Sequence, residues 1–389
     1  MHVQIIPTML NGTIQAISSK SYAQRLLIAA ALADKPTTIS INGLAEDTMA
    51  VVDALRAMGA DIIIKDDNKL LLVHPMVLKK EAPHINCRES ATAARLLLPV
   101  AAALYDSATI SGTGSLLKRP FDTLCEAMEQ NGCLFEQKSL PITFSGKLSA
   151  GEYLISAQQS SQFISGLMLS LPLLDGKSEI RLMSPLQSTG YVDMTMQTLK
   201  LFGVQGGYQT AGCQRYISPG GIEVEGDWSN AAFWLAVGVQ VSGLNLQSLQ
   251  KDRLFLQMKD QNKIDVADVP DLVPILAVCA AVRQGRTVLF NAARLRFKES
   301  NRLQSVCGMI DSLGGEAHLD GDSLLIDGRC GLRGGVVDSY NDHRIVMATA
   351  IASCFCRQPV LIKNAQAVNK SYPHFFQHFN QLGGRVVVV

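Results

Sequence analysis

The stretch VVDALRAMGADIII, residues 51–64, joins two periodicities at a single residue. Before Gly59 the apolar side chains Val51, Val52, Ala54, Leu55 and Met58 recur at helical spacing, and after it Ile62, Ile63 and Ile64 run apolar as a strand does. A glycine at such a join is the usual left-handed stop of a helix. The same junction returns in LCEAMEQNGCLFE, TMQTLKLFGVQ, VCGMIDSLGGEAHL and FFQHFNQLGGRVVVV, at Gly132, Gly203, Gly314 and Gly383. Adjacent copies lie roughly seventy residues apart. The wider gap between Gly203 and Gly314 predicts a degenerate copy around RLFLQMKDQNKID. Six copies of one α/β unit then fill the chain.

The pattern is interrupted at YISPGGIEVEGDWSN, where Ser218, Pro219, Gly220 and Gly221 precede a new apolar helix starting at Asn230. Three units fall on each side, which predicts two similar lobes with a ligand cleft between them. A length of 389 residues and 47% apolar content suit about two domains with large cores. A formal net charge of +1 gives no reason to expect nucleic acid or an anionic membrane as the main partner. Nine scattered cysteines, with no paired metal-ligand spacing apart from the close couple Cys354 and Cys356, fit a reducing cytoplasm and suggest no metal. No uncharged run is long enough to cross a bilayer.

Cations gather where helices are expected to begin. In SSKSYAQRLLIAAAL, Ser19 or Ser21 can cap a helix, with Lys20 beside its first turn and Arg25 just inside. Free N–H groups and the helix dipole favour an anion there, and cations add to that preference. In NAARLRFKESNRLQSV, Arg294, Arg296 and Lys298 are expected to alternate along an extended segment. Glu299 to Arg302 are expected to begin a helix, with Lys298 and Arg302 as an i,i+4 pair. In SYNDHRIVMATAIASC, Asp342 reads as a capping or first-turn acid, whereas Arg344 has no structural role of that kind. Ser160, Ser161 and Gln162 stand at another helix start, and Asp271 follows a proline at a further one. Arg119 and Lys370 each lie beside a proline at a loop-to-helix junction.

In order along the chain, Lys20-Ser21 with Arg25, ESATAARLLLP, KRPFDTL, SSQFISGL, STGYVDMT, VEGDWSNAAFWL, VPDLVP, RLRFKESNRL, YNDHRIVMA and NKSYPHFF resemble the successive signatures of the 5-enolpyruvylshikimate-3-phosphate synthase family. The resemblance spans nearly the whole chain. It implies two lobes, each of three βαβαββ units with helices inside and sheets outside. The N-terminal lobe, 19–219, is expected mainly to bind shikimate 3-phosphate; the C-terminal lobe, 1–18 plus 220–389, is expected mainly to bind phosphoenolpyruvate. It also implies transfer of an enolpyruvyl group between these two small molecules by addition and then elimination, in a cytoplasmic monomer without metal or organic cofactor.

By position in the motifs, the resemblance assigns Lys20, Ser21, Arg25, Ser160, Ser161, Gln162, Tyr191, Asp271 and Lys298 to shikimate 3-phosphate. It assigns Lys20, Ala91, Arg119, Gln162, Arg302, Arg344 and Lys370 to phosphoenolpyruvate. Acid and base work falls to Asp271 and Glu299, with Lys20 nearby. The family usually has glycine where Ala91 stands and often where Arg88 stands, and many members have asparagine where Arg294 stands, so Arg294 receives no role. Glyphosate, which inhibits many members, is longer than phosphoenolpyruvate, so the methyl of Ala91 is expected to disfavour it. The two other readings are a transferase acting on a UDP-amino sugar, which shares the fold, and a noncatalytic ligand-binding relative. Ser21 after Lys20 and the intact KESNR segment speak against the first, and the complete set of acids, bases and cations against the second.

Overall fold

The junction glycines adopt the conformation their positions require. In the computed structural model, which describes residues 1–389, Gly59, Gly132, Gly203, Gly314 and Gly383 all have positive φ. At Gly59, φ is 105° and a Cβ would meet the Val77 carbonyl oxygen at 2.1 Å, so no other residue fits between the helix Glu46–Ala57 and the strand Ile62–Lys65.

The chain forms two compact units, Ser18–Val224, and Met1–Ile17 together with Glu225–Val389. Each unit carries three sheets. The four-stranded sheets share one order: two parallel strands, then the fourth strand of the repeat, then the third, both of these pairings antiparallel. His84–Asn86, Ser107–Ser111, Ile142–Ser145 and Leu134–Phe135 show this order in the first unit, and Lys263–Asp265, Gly285–Phe290, Ser323–Gly328 and Ala317–Asp320 in the second. Another sheet of the second unit joins Gly335–Asp338 and Val360–Lys363 to Val3–Ile6 and Arg385–Val388.

Two repeats differ from the expected pattern. After Gly203 no strand forms, because Gly206 and Gly207 follow at once, and the chain returns only as Gln209–Thr210 beside Ser178–Leu182. The degenerate copy is shorter still. Its second helix is the single turn Phe255–Met258, and the strand after it, Lys263–Asp265, belongs to the next sheet. What remains is the pair Gln240–Ser242 and Thr13–Gln15.

That pair reveals an exchange of strands. Thr13–Gln15 precedes the helix Lys20–Ala31 of the first unit but pairs within the second. Gly221–Glu223 precedes the helix Trp228–Leu235 of the second unit but pairs with Thr37–Ser40 of the first. The boundary expected between 219 and 220 therefore falls after Val224, and Ser18 joins the first unit.

The first helix of each repeat forms the core. Lys20–Ala31, Ala91–Leu104 and Ser161–Ser170 in the first unit are buried along most of their length, as are Trp228–Leu235, Val273–Ala281 and His343–Ala352 in the second. Strands such as Thr37–Ser40 and Ser107–Ser111 instead alternate between buried and half-buried residues, one face turned to those helices. At Gly166 a Cβ would meet the Arg95 carbonyl oxygen at 2.4 Å. Pro99, lacking an N–H, cannot donate to that carbonyl, and the glycine lets Ser161–Ser170 pack directly on it. This close packing fixes the two helix starts relative to each other.

Candidate active site

Most of the expected site residues stand at or just before helix N-termini, and Arg25 lies little more than a turn inside its helix. In the first unit Lys20 opens its helix, and its ammonium lies 2.7 Å from Asp47 Oδ2 in the first turn of Glu46–Ala57. Ser19 occupies the N-cap position, but its Oγ makes no capping bond and no other hydrogen bond. Ser21 follows Lys20 and accepts from Arg25 through its backbone carbonyl.

Arg25 is buried, and every hydrogen-bond acceptor around it is neutral. Nη1 donates to Ser21 O at 2.8 Å, Nε to Thr195 Oγ1 at 2.8 Å, and Nη2 to Tyr191 O at 3.0 Å and Ser165 Oγ at 3.3 Å. The Tyr191 ring lies 6.0 Å from the guanidinium. Burial draws the Arg25 pKa down to about 10, opposed by Tyr191 and Tyr22. A buried cation with no carboxylate beside it gains from an anion brought to its side.

The other two core helices of this unit are tied together at their starts. Ser160 caps its helix by accepting from Gln162 N at 3.2 Å, with Ser161 buried behind it. Gln162 Nε2 donates to Thr92 Oγ1 at 2.7 Å, one residue after Ala91, which opens Ala91–Leu104. Arg95 donates to Gln162 Oε1 at 3.0 Å, Ser160 Oγ at 3.4 Å and Pro120 O at 3.2 Å, between the rings of Phe121 and Phe163. It thereby holds Gln162 and the Arg119-Pro120 segment to one helix. Arg119 itself is buried.

In the second unit one arginine organises the site. Arg302 is fully buried and donates to Asp342 Oδ2 from Nε at 3.0 Å, to Asp342 Oδ1 from Nη2 at 3.3 Å, to Asp271 Oδ1 from Nη1 at 2.8 Å and to Glu299 Oε2 from Nη2. Asp342 also caps His343–Ala352 by accepting from Arg344 N at 2.9 Å, so the expected cap has a second role. Asp271 gathers two more cations, Lys298 Nζ at 3.3 Å and Arg344 Nη2 at 3.1 Å. Lys370 donates to Asn341 O at 2.8 Å, which places its buried stem next to the same helix start.

Burial lowers the Lys298 pKa to about 8 although Asp271 and Glu299 oppose the shift, while Arg302 adds to it. For Arg302, burial lowers the pKa but Asp342, Glu299 and Asp271 together outweigh it, so the net shift is upward. Asp252, buried and accepting from Ser229 Oγ, is pushed up to about 7 by burial and by Asp271, against the pull of Arg344.

The helix expected from Glu299 begins only at Arg302, and Ala293–Phe297 is a 3₁₀ turn rather than an extended segment. Lys298 and Arg302 are thus not an i,i+4 helical pair, although they meet on the same oxygen of Asp271. Arg296 turns away to Asp322 at 3.0 Å on the surface. Sequence reasoning missed Asp47, Thr92, Arg95, Ser165, Thr195 and Asp252. Asp47 and Asp252 carried a local signal as acids in a first helical turn, and Arg95 as a cation one turn inside a helix start, as Arg25 is.

A family model described as EPSP synthase (3-phosphoshikimate 1-carboxyvinyltransferase) matches residues 5–259 and 237–379. A 3-phosphoshikimate 1-carboxyvinyltransferase of Clostridium kluyveri is 36% identical over 99% of this chain and 98% of its own length. One of Clostridium novyi is 37% identical over 98% of each. Among solved structures, an EPSP synthase from Acinetobacter baumannii superposes with a TM-score of 0.81 over 100% of both chains at 23% identity, a likeness of fold.

Proposed function

The chain belongs to the EPSP synthase family, the 3-phosphoshikimate 1-carboxyvinyltransferases, and from that premise we propose how its residues divide the work. The reaction moves the carboxyvinyl group of phosphoenolpyruvate onto the 5-hydroxyl of shikimate 3-phosphate and releases phosphate. Both substrates are phosphates bearing carboxylates, so each calls for several cationic donors, and arginine suits their paired oxygens. The observation that carries the reading is Arg25, a buried cation whose hydrogen-bond acceptors are all neutral.

Ser21, Arg25, Ser160, Ser161, Gln162 and Tyr191 hold shikimate 3-phosphate, with Lys298 and Asp271 at its hydroxyl end. Lys20, Arg119, Gln162, Arg344 and Lys370 hold phosphoenolpyruvate beside Ala91. Arg302 gives four hydrogen bonds to three carboxylates, and its assignment to phosphoenolpyruvate rests on the remaining Nη1 N–H, which the surrounding packing covers. Asp271 takes the 5-hydroxyl proton as the oxygen adds to C2 of phosphoenolpyruvate. Glu299 protonates the C3 methylene, with Lys20 as the alternative donor, and later removes a C3 proton as phosphate leaves. Arg344 and Lys370 offset the charge on that phosphate. We place the enzyme in the cytoplasm as a monomer; its nine cysteines are all free, as they are in a reducing compartment.

Arg25→Ala should weaken shikimate 3-phosphate binding by about 1.5–3 kcal/mol, the range for a hydrogen bond to a charged group. Titration calorimetry checks this, and an unchanged affinity removes Arg25 from the site. Shikimate 3-phosphate should also bind progressively less well as pH rises through about 8, because Lys298 loses its charge there. The same titrations repeated with Lys298→Met should lose that pH dependence.

Ala91 leads to a third expectation. Its helix start is pinned, with Ser90 Oγ accepting from Ala93 N at 3.3 Å and Ser90 N donating to Cys87 O at 2.9 Å, so the methyl cannot easily retreat. Overlap in a rigid pocket costs about 1–3 kcal/mol. Glyphosate should therefore inhibit this enzyme poorly and Ala91→Gly well, while equal inhibition of both at low glyphosate contradicts the clash.

A further inference from the structure

We infer that Gln24 is a positioning residue for the transfer, holding the helix starts that carry Lys20 and Ala91 at a fixed spacing. The inference rests on the assignment of those two residues to phosphoenolpyruvate. Gln24 lies one turn after Lys20 on the same helix and is fully buried. Its side-chain Nε2 donates to two other segments, to the backbone carbonyl of Asp47 at 2.9 Å and to Ser90 Oγ at 3.2 Å.

Both acceptors belong to residues that set the site directly. The carboxylate of Asp47 holds the Lys20 ammonium at 2.7 Å. Ser90 Oγ is the cap of the helix that Ala91 opens. One amide thus links the helix of Lys20, the residue that orients Lys20, and the cap beside Ala91.

The other half of the amide shows that the arrangement is not merely a way to fill space. Gln24 Oε1 is buried and has no hydrogen-bond donor. A buried acceptor left bare is a standing cost, which methionine or leucine of similar volume would not incur. The two bonds made by Nε2 are what offset it. Neither reaches Arg25, Thr195, Ser165 or Tyr191, which form the shikimate 3-phosphate end of this unit.

Gln24→Met, which keeps the volume and removes both bonds, should raise the KM for phosphoenolpyruvate about tenfold while leaving that for shikimate 3-phosphate within about twofold. Gln24→Asn is one methylene shorter and can keep only one bond, so its KM should fall between wild type and Gln24→Met. Ser90→Ala combined with Gln24→Met should raise the KM by less than the product of the single effects, because the two act through one contact. If both KM values rise together, or neither moves while wild type turns over, the positioning role is overturned and the proposed function stands. If wild type releases no phosphate with both substrates, the functional reading fails and this inference with it. Should Gln24→Met not fold, the split between the two KM values in Gln24→Asn decides.

Discussion

Glu299→Gln should bind both substrates and turn over at least about a hundredfold more slowly, the usual range for loss of a general acid–base group. The substitution is close to isosteric. Glu299 Oε2 accepts from Arg302 Nη2, and the amide oxygen of glutamine can accept the same bond, so the network around Asp271 and Asp342 is retained. On the assignment proposed for Glu299, what is lost is the ability to deliver a proton to the C3 methylene and later take one back. Single-turnover phosphate release, measured beside the binding of each substrate, separates these effects. A variant with normal turnover would move the proton transfer to Lys20, whose ammonium lies 2.7 Å from Asp47.

Arg302→Met should lower unfolding stability by about 3–5 kcal/mol, the range for breaking a buried charge pair by removing one partner. Asp342 is fully buried, its hydrogen bonds otherwise come from the backbone N–H of Arg344 and the Ser300 hydroxyl, and Arg302 is its only ion-pair partner. Asp271 retains Lys298 and Arg344 after the change, so the loss centres on Asp342. Adding Asp342→Asn should recover much of the stability, because asparagine still caps the helix and carries no charge. Urea unfolding of the single and double variants checks both expectations. An Arg302→Met variant as stable as wild type would mean that the buried pair between Arg302 and Asp342 adds nothing to stability.

The repeat was legible because a helix that stops at glycine and turns straight into a strand leaves a local mark, and Gly59, Gly132, Gly314 and Gly383 all deliver it. Gly203 ends its helix too, but the glycines that follow it leave no strand. The exchange of Thr13–Gln15 and Gly221–Glu223 between units left no mark, since a three-residue strand reads the same beside either partner. The candidate residues were legible because cations at helix starts are an unusual expense of charge unless an anion arrives there. Their partners were not. Asp47 meets Lys20 across 27 positions, and Arg95 reaches Gln162 across 67, contacts that only packing creates. The 3₁₀ turn at Ala293–Phe297 likewise hid that Lys298 and Arg302 converge on Asp271 from different elements.

The chemistry assigned to this chain joins two specific anions and expels phosphate. Phosphate release from phosphoenolpyruvate, followed with and without shikimate 3-phosphate, is the measurement that decides it. Release should require shikimate 3-phosphate and saturate with it. Release that is absent with both substrates, or indifferent to shikimate 3-phosphate, would contradict it.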